Sequence, residues 1–155
     1  MKKFIAVDVG GTQIRVAIFA ENSIEPLAQK KIPTQGNNQT PIERIIGLLK
    51  ELWPSDGEVS SIAIAAPGYL DPDKGIVITA PNIPGWKNYP LADLLHEQFN
   101  VPIYLGNDAN LAALGEWKYG AGRGHHNLLY MTVSTGIGGG IICGDQLITG
   151  VNGMA

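Results

Sequence analysis

Asp8 stands in an otherwise apolar stretch, Phe4-Ile5-Ala6-Val7-Asp8-Val9, directly before Gly10-Gly11-Thr12. An acid is disfavoured in a strand and costly to bury without a partner. At the lip of a glycine turn it has two readings. It can cap the turn, or it can hold a divalent cation, directly or through its waters, where phosphate charge must be neutralised. A second glycine-rich turn, Thr135-Gly136-Ile137-Gly138-Gly139-Gly140, follows another apolar run. Both turns bare backbone N–H groups where no side chain blocks approach, and each adds a hydroxyl, which together make a nest for phosphate oxygens. Neither has the Gly-Lys-Ser/Thr of a P-loop or opens a helix, and neither fits the dinucleotide fingerprint. The plain alternative for each is a hairpin, since Gly-Gly accepts the positive φ of tight hairpin turns. Two such turns in one chain favour a phosphate clamped between them.

Asn107-Asp108 falls where a strand gives way to a helix. Asn and Asp are common helix N-caps, and the carboxyl end of a buried strand is also where an α/β domain places its chemistry. An ionised carboxylate there can accept the proton of a substrate hydroxyl as it attacks phosphorus. Asn82, within Pro81-Asn82-Ile83-Pro84-Gly85-Trp86, can hydrogen-bond a polyol or simply serve a turn. Trp86 can cover an apolar sugar face or bury its loop. The pair His125-His126 lacks a carboxylate or cysteine at ligand spacing and reads as a solvated loop, His96 reads as a helix-surface residue, and Cys143 as a small core residue.

These residues need elements to position them. Residues 3–9 and 13–20 read as paired strands and 24–33 as a third, so an antiparallel meander opens the chain. Thr40-Pro41-Ile42-Glu43 is a helix start with a capping box, and Ile42, Ile45, Ile46, Leu49, Leu52 and Trp53 follow at helical spacing. Residues 61–66 form a buried strand running into Pro67-Gly68. The proline-rich stretch 67–90 leaves room for one short strand, 76–78. Leu91 to Phe99 is a second helix, stopped by Asn100-Val101-Pro102; 103–105 is a strand; a third helix begins at 106–110 and runs through Trp117. Strands at 128–133 and 140–143 look like the opening plan starting again. The order β-β-β-α-β-α-β-α predicts an α/β fold with a mixed sheet, divided into residues 1–122 and the first hairpin of a second domain at 123–155.

The chain has 155 residues, 45% of them hydrophobic and 16% charged, enough for one sizeable core. A net charge of -3 with scattered basic residues argues against a nucleic-acid partner. A single cysteine allows no intrachain disulfide and suits a reducing cytoplasm. Asp8 interrupts the opening apolar run before a signal-peptide core can form, and no segment is long enough to span a membrane.

In order along the chain, Val7-Asp8-Val9-Gly10-Gly11-Thr12, Ala66-Pro67-Gly68, Ala80 to Trp86, Gly106-Asn107-Asp108-Ala109-Asn110 and Val133 to Gly140 resemble the ROK family of sugar kinases, most closely its glucokinase-like members. The resemblance implies the ribonuclease-H-like fold shared by actin, hexokinase and Hsp70, with ATP and Mg²⁺ held in a cleft between two domains and Asp8 near the metal. It implies that Asp108 is the general base and that Gly68, Asn82, Asn107 and Asp108 hold the sugar. Gly10, Gly11, Thr12 and Gln13 correspond to the first phosphate loop, and Thr135, Gly136 and Gly138 to the second. Family members continue past a segment like Gly150–Ala155 into a Gly-Glu-x-Gly-His stretch, often a cysteine-rich zinc motif, and an adenosine-binding part. The sequence in hand ends before these, and the expectation is a member outside the family's repressor branch, with no helix-turn-helix ahead of Met1. The expectation is therefore an ATP-dependent hexose kinase acting on glucose, cytoplasmic and homodimeric as a whole protein, with these 155 residues inactive alone. The alternatives are a sugar-sensing or binding module of the same fold, or an inactive truncated fragment.

Overall fold

The computed structural model describes residues 1–36, 38–133 and 136–150. Strands β1 (Lys2–Val9), β2 (Gln13–Ala20) and β3 (Pro26–Pro33) form the antiparallel meander that the alternating apolar residues predict. Helix α1 (Pro41–Leu52) then leads into β4 (Glu58–Ala66), which lies parallel to β1. After a small sheet of β5 (Tyr69–Asp71), β6 (Ile76–Thr79) and β7 (Lys87–Tyr89), helix α2 (Leu91–Phe99) leads into β8 (Ile103–Asn107), parallel to β4. The main sheet therefore has the mixed order β3-β2-β1-β4-β8. Helix α3 (Asp108–Tyr119) continues from β8 without a loop and packs on a third sheet of β9 (Leu128–Val133), β10 (Ile137–Cys143) and β11 (Gln146–Ile148). No helix among the described residues is long and apolar enough to cross a membrane.

The helix signals act as the sequence predicts. Thr40 caps α1 and Glu43 closes the capping box, its Oε2 accepting the Thr40 N–H at 2.7 Å. Asn100 ends α2 in the left-handed conformation, φ 51°, which Asn tolerates better than most residues. Two expectations need correction. The stretch 67–90 holds three strands and not one, because its prolines stand between the strands or at their ends, where no ladder N–H is lost. Strand β10 starts at Ile137, inside the glycine run, and a further short strand, β11, pairs with its far end.

Alternation along the main sheet decides where the core lies. Ile5, Val7 and Val9 of β1, Ile14, Val16 and Ile18 of β2, and Ile62 and Ile64 of β4 are all buried on one face, against Ile45 and Leu49 of α1 and Leu91 and Leu95 of α2. Each such side chain stabilises the fold by about 1.5–3 kcal/mol relative to exposure. The small sheet joins the same core through Leu70 and Val77, and the loop between β6 and β7 through Ile83 and Trp86. The opposite face carries Ala6, Asp8, Arg15, Ala17 and Phe19 and borders an open groove of about 760 Å³, which Leu111 of α3 also lines.

Candidate functional site

Parallel pairing puts the critical residues in one row. Asp8 of β1 lies beside Ala65 of β4, which lies beside Gly106 of β8, and one step further Ala66 lies beside Asn107. The three parallel strands thus end together, and each runs directly into a candidate site element: Gly10-Gly11-Thr12, Pro67-Gly68, and Asn107-Asp108. Ligands of open α/β sheets gather at this end of the strands.

Asn107 is held at both ends of its amide. Its Oδ1 accepts the N–H groups of Ala109 at 3.0 Å and Asn110 at 3.2 Å, capping α3, while its Nδ2 donates to the Gly68 carbonyl at 3.2 Å. Asp108 is the first residue of α3; it is exposed, and its Oδ1 accepts the Ala109 N–H at 2.8 Å. Gly68 has φ +88°, and a β-carbon there would stand 2.2 Å from the Thr79 carbonyl oxygen, so only glycine lets this turn close onto the small sheet.

The Gly10-Gly11 turn departs from the positive-φ hairpin that its sequence suggests. Neither glycine adopts a positive φ. They are required by close approach instead: a β-carbon on Gly10 would meet the Gln13 carbonyl oxygen at 3.2 Å, and one on Gly11 would meet Cβ of Asn82 at 2.9 Å. The turn closes through the Gly10 N–H, which donates to the Gln13 carbonyl at 2.8 Å, while the N–H groups of Gly11 and Thr12 are taken by no backbone acceptor among the described residues. Two such amides at a glycine turn can donate to an anion. Asn82 is exposed on a loop whose neighbours Ile83 and Trp86 are buried, with the Ala80 N–H donating to the Trp86 carbonyl at 3.1 Å. Trp86 stacks on Tyr89 at 5.4 Å between ring centroids, so it anchors the loop and does not offer its face to a sugar.

Asp8 is electrostatically tied to Asp108. Loss of water in the groove pushes the Asp8 carboxyl above its ordinary pKa, the Arg15 guanidinium directly across the strand pair pulls it back down, and the negative charge of Asp108 adds to the upward push. A divalent cation would relieve that strain. Mg²⁺ is commonly bound by one or two carboxylates plus phosphates and waters, so Asp8 beside the candidate phosphate turn fits it, and no cluster of three or more metal-binding side chains is present among the described residues. The large groove meets the candidate site only at Asp8; Gly68, Asn82 and Asn107 lie outside its walls.

The second glycine run is brought to the same helix. Gly138 faces Ala109 and Gly140 faces Ala113, where β-carbons would stand 3.2 Å and 2.6 Å from the alanine methyl groups, so these glycines let β10 lie against α3. Gly136 is exposed, and a β-carbon on it would meet nothing within 4 Å among the described residues, while Thr135 lies outside them. Thr12 and Gln13 are exposed at the first turn. Away from the site, His126 pairs with Asp145 at 2.8 Å on the surface, and the His96 ring meets the Val101 carbonyl at 2.9 Å. Cys143 is exposed, not buried as expected, because Ile142 takes the inward position of β10. Motif and spacing do not reveal Thr34 and Arg44, polar residues buried around the site, nor the burial of Asn110, whose Oδ1 has no hydrogen-bond partner among the described residues. A threonine after a proline and an asparagine inside a helix give no pattern from which burial could be read.

A model of the ROK family matches residues 4–155. The chain is 38% identical over 158 residues to a glucokinase of Halalkalibacterium halodurans, covering 98% of this chain and 47% of that protein. It is 38% identical over 154 residues to a glucokinase of Thermotoga maritima, covering 98% of this chain and 48% of the relative. Its fold superposes with a TM-score of 0.86 on the crystal structure of a ROK family glucokinase from Streptomyces griseus in complex with glucose and AMPPNP, at 36% identity over 99% of this chain and 48% of that one. The chain spans about half the length of the relatives it matches.

Proposed function

The chain belongs to the ROK family, and from that premise we propose that it supplies the sugar-binding half, and the start of the nucleotide-binding half, of an ATP-dependent glucokinase. One observation carries the reading: the free amides of the Gly10–Thr12 turn, the Asn82 loop and Asn107-Asp108 meet at the shared end of three parallel strands. Relatives named glucokinase and a structural neighbour holding glucose and AMPPNP support it.

In this reading Gly68, Asn82 and Asn107 orient the sugar. Asn107 is already fixed by the α3 cap, so its ordering entropy is spent before substrate arrives. Asp108, exposed beside it, accepts the proton of the attacking hydroxyl as the oxygen bonds to the γ-phosphorus and the bond to ADP breaks. The amides of Gly11 and Thr12 with Gln13 on one side, and Thr135, Gly136 and Gly138 on the other, hold phosphate oxygens. Asp8 would hold Mg²⁺, whose charge neutralises the phosphates and favours the developing transition state. Residues 1–122 form the sugar domain and 123–155 open the nucleotide domain, so closure of the two over the substrates would exclude water. Cytoplasmic location, a homodimeric assembly and entry of the product into glycolysis rest on the family resemblance.

Isothermal titration with glucose and with Mg-ATP, together with a coupled assay for glucose 6-phosphate, tests the proposal on the protein that carries this chain. Binding of both ligands with turnover supports it. Glucose binding without nucleotide binding or turnover replaces it by a sugar-sensing module.

A further inference from the structure

Thr34 is fully buried at the end of β3, under the glycine turn. Its hydroxyl donates to the Gly10 carbonyl at 2.6 Å and its own N–H donates to the Thr12 carbonyl at 2.9 Å. Arg44, itself buried, holds the chain on both sides of it: Nε donates to the Pro33 carbonyl at 2.8 Å and a terminal nitrogen to the Gly36 carbonyl at 3.2 Å. One residue therefore grips two carbonyls of a turn whose own hydrogen bond, among the described residues, is Gly10–Gln13.

The geometry of the peptide unit turns this grip into a directional one. The Gly10 carbonyl and the Gly11 N–H belong to one trans peptide plane and point in opposite directions. A hydroxyl that fixes the carbonyl inward fixes the amide outward. Glycine otherwise leaves that plane free to rotate, since Gly10 and Gly11 lack the β-carbons that restrict neighbouring dihedrals. We propose that Thr34 is a positioning residue for phosphate binding: its hydroxyl, by holding the Gly10 carbonyl, presents the Gly11 N–H to an anionic phosphate oxygen. The proposal rests on the reading of Gly10–Thr12 as a phosphate turn and adds the residue that preorganises it. Preorganised donors gain affinity because no ordering is left to do at binding. The hydroxyl is the essential part, so serine retains the function, while valine keeps the shape without the donor and alanine removes both hydroxyl and methyl.

The test is a titration of the ¹⁵N-labelled protein that carries this chain with sodium tripolyphosphate at constant ionic strength, following the Gly11 amide resonance in wild type, Thr34→Ser, Thr34→Val and Thr34→Ala. The expected result is a saturable Gly11 shift in wild type and the serine variant. In the valine and alanine variants the dispersed spectrum of the core persists and binding weakens about tenfold, the effect of one preorganised hydrogen bond. Alanine guards against misfolding of the valine variant, whose methyl would press on the Gly10 carbonyl. Wild-type binding by both variants overturns the role of Thr34 and leaves the phosphate turn standing. Absence of any saturable Gly11 shift in wild type overturns the phosphate turn itself, and the role of Thr34 with it.

Discussion

Gly11 and Asn82 touch without room for a side chain: a β-carbon on Gly11 would stand 2.9 Å from that of Asn82 and 3.2 Å from its carbonyl oxygen. The candidate phosphate turn and the candidate sugar loop are therefore one packed unit. A displacement of either is felt by the other, since close-packed neighbours transmit strain and do not absorb it.

Gly11→Ala is the direct probe of that contact. Overpacking of this kind typically costs about 1–3 kcal/mol, and here the backbone of Asn82 blocks an easy escape. Gly47→Ala, on α1 with nothing within 4 Å of the new methyl group, is the matched control and is expected to stabilise by about 0.5–1 kcal/mol. Urea unfolding of both variants measures the difference. Equal stabilities would mean that the turn yields freely and the coupling does not exist.

Asp108→Asn keeps the size of the side chain and its ability to accept the Ala109 N–H, and removes its basicity. General-base catalysis contributes about 10²–10⁴ in rate, so under the proposed kinase function turnover by the protein that carries this chain should fall by at least about a hundredfold. Glucose affinity, measured by titration calorimetry, should change little. Unchanged turnover would remove Asp108 from the role of base.

Asp8 sets a pH dependence of stability. Burial raises its pKa in the folded state, with Arg15 opposing and Asp108 reinforcing. The folded state therefore favours the protonated acid, and this contribution is complete below the ordinary value of 3.8 and is lost as pH climbs through the raised one. At neutral pH the ionised group opposes folding. Asp8→Asn should raise the thermal midpoint at pH 7 by a small amount, because solvent reaches the side chain, and leave it unchanged or lower at the acid end. Asp56 and Asp71, whose pKa values are lowered by Lys3 and Lys74, give stability the opposite trend, so only the difference between wild type and variant reports Asp8. A midpoint difference independent of pH would refute the assignment.

How much the sequence discloses depends on how local each signal is. The capping box of Thr40 and Glu43, the alternation of β1 and β2 and the Asn100 stop are written in adjacent residues, and all are found as expected. The site row of Asp8, Ala65 and Gly106 depends on the register of strands far apart in the chain, which spacing does not encode. The glycines show the same boundary. Their presence marks the turns, yet the reason for Gly11 is Asn82 and the reason for Gly140 is Ala113, partners that only the folded chain reveals. Thr34 is invisible in the sequence because a lone buried hydroxyl has no periodicity.

The sheet of β9, β10 and β11 presents an apolar face away from α3. Leu129 is 76% exposed, Met131 68%, Val133 71% and Ile137 79%, with Val133 and Ile137 directly paired across the strands. Contiguous apolar surface of this kind rarely stays wet in a monomer. The 155-residue chain by itself should therefore self-associate and bind an apolar fluorescent dye. Paired Met131→Lys and Val133→Lys changes should restore a monomer by light scattering with little loss of stability, since neither side chain is buried in the fold. A wild-type chain that scatters as a monomer at all concentrations and leaves the dye dark would show that this face needs no cover.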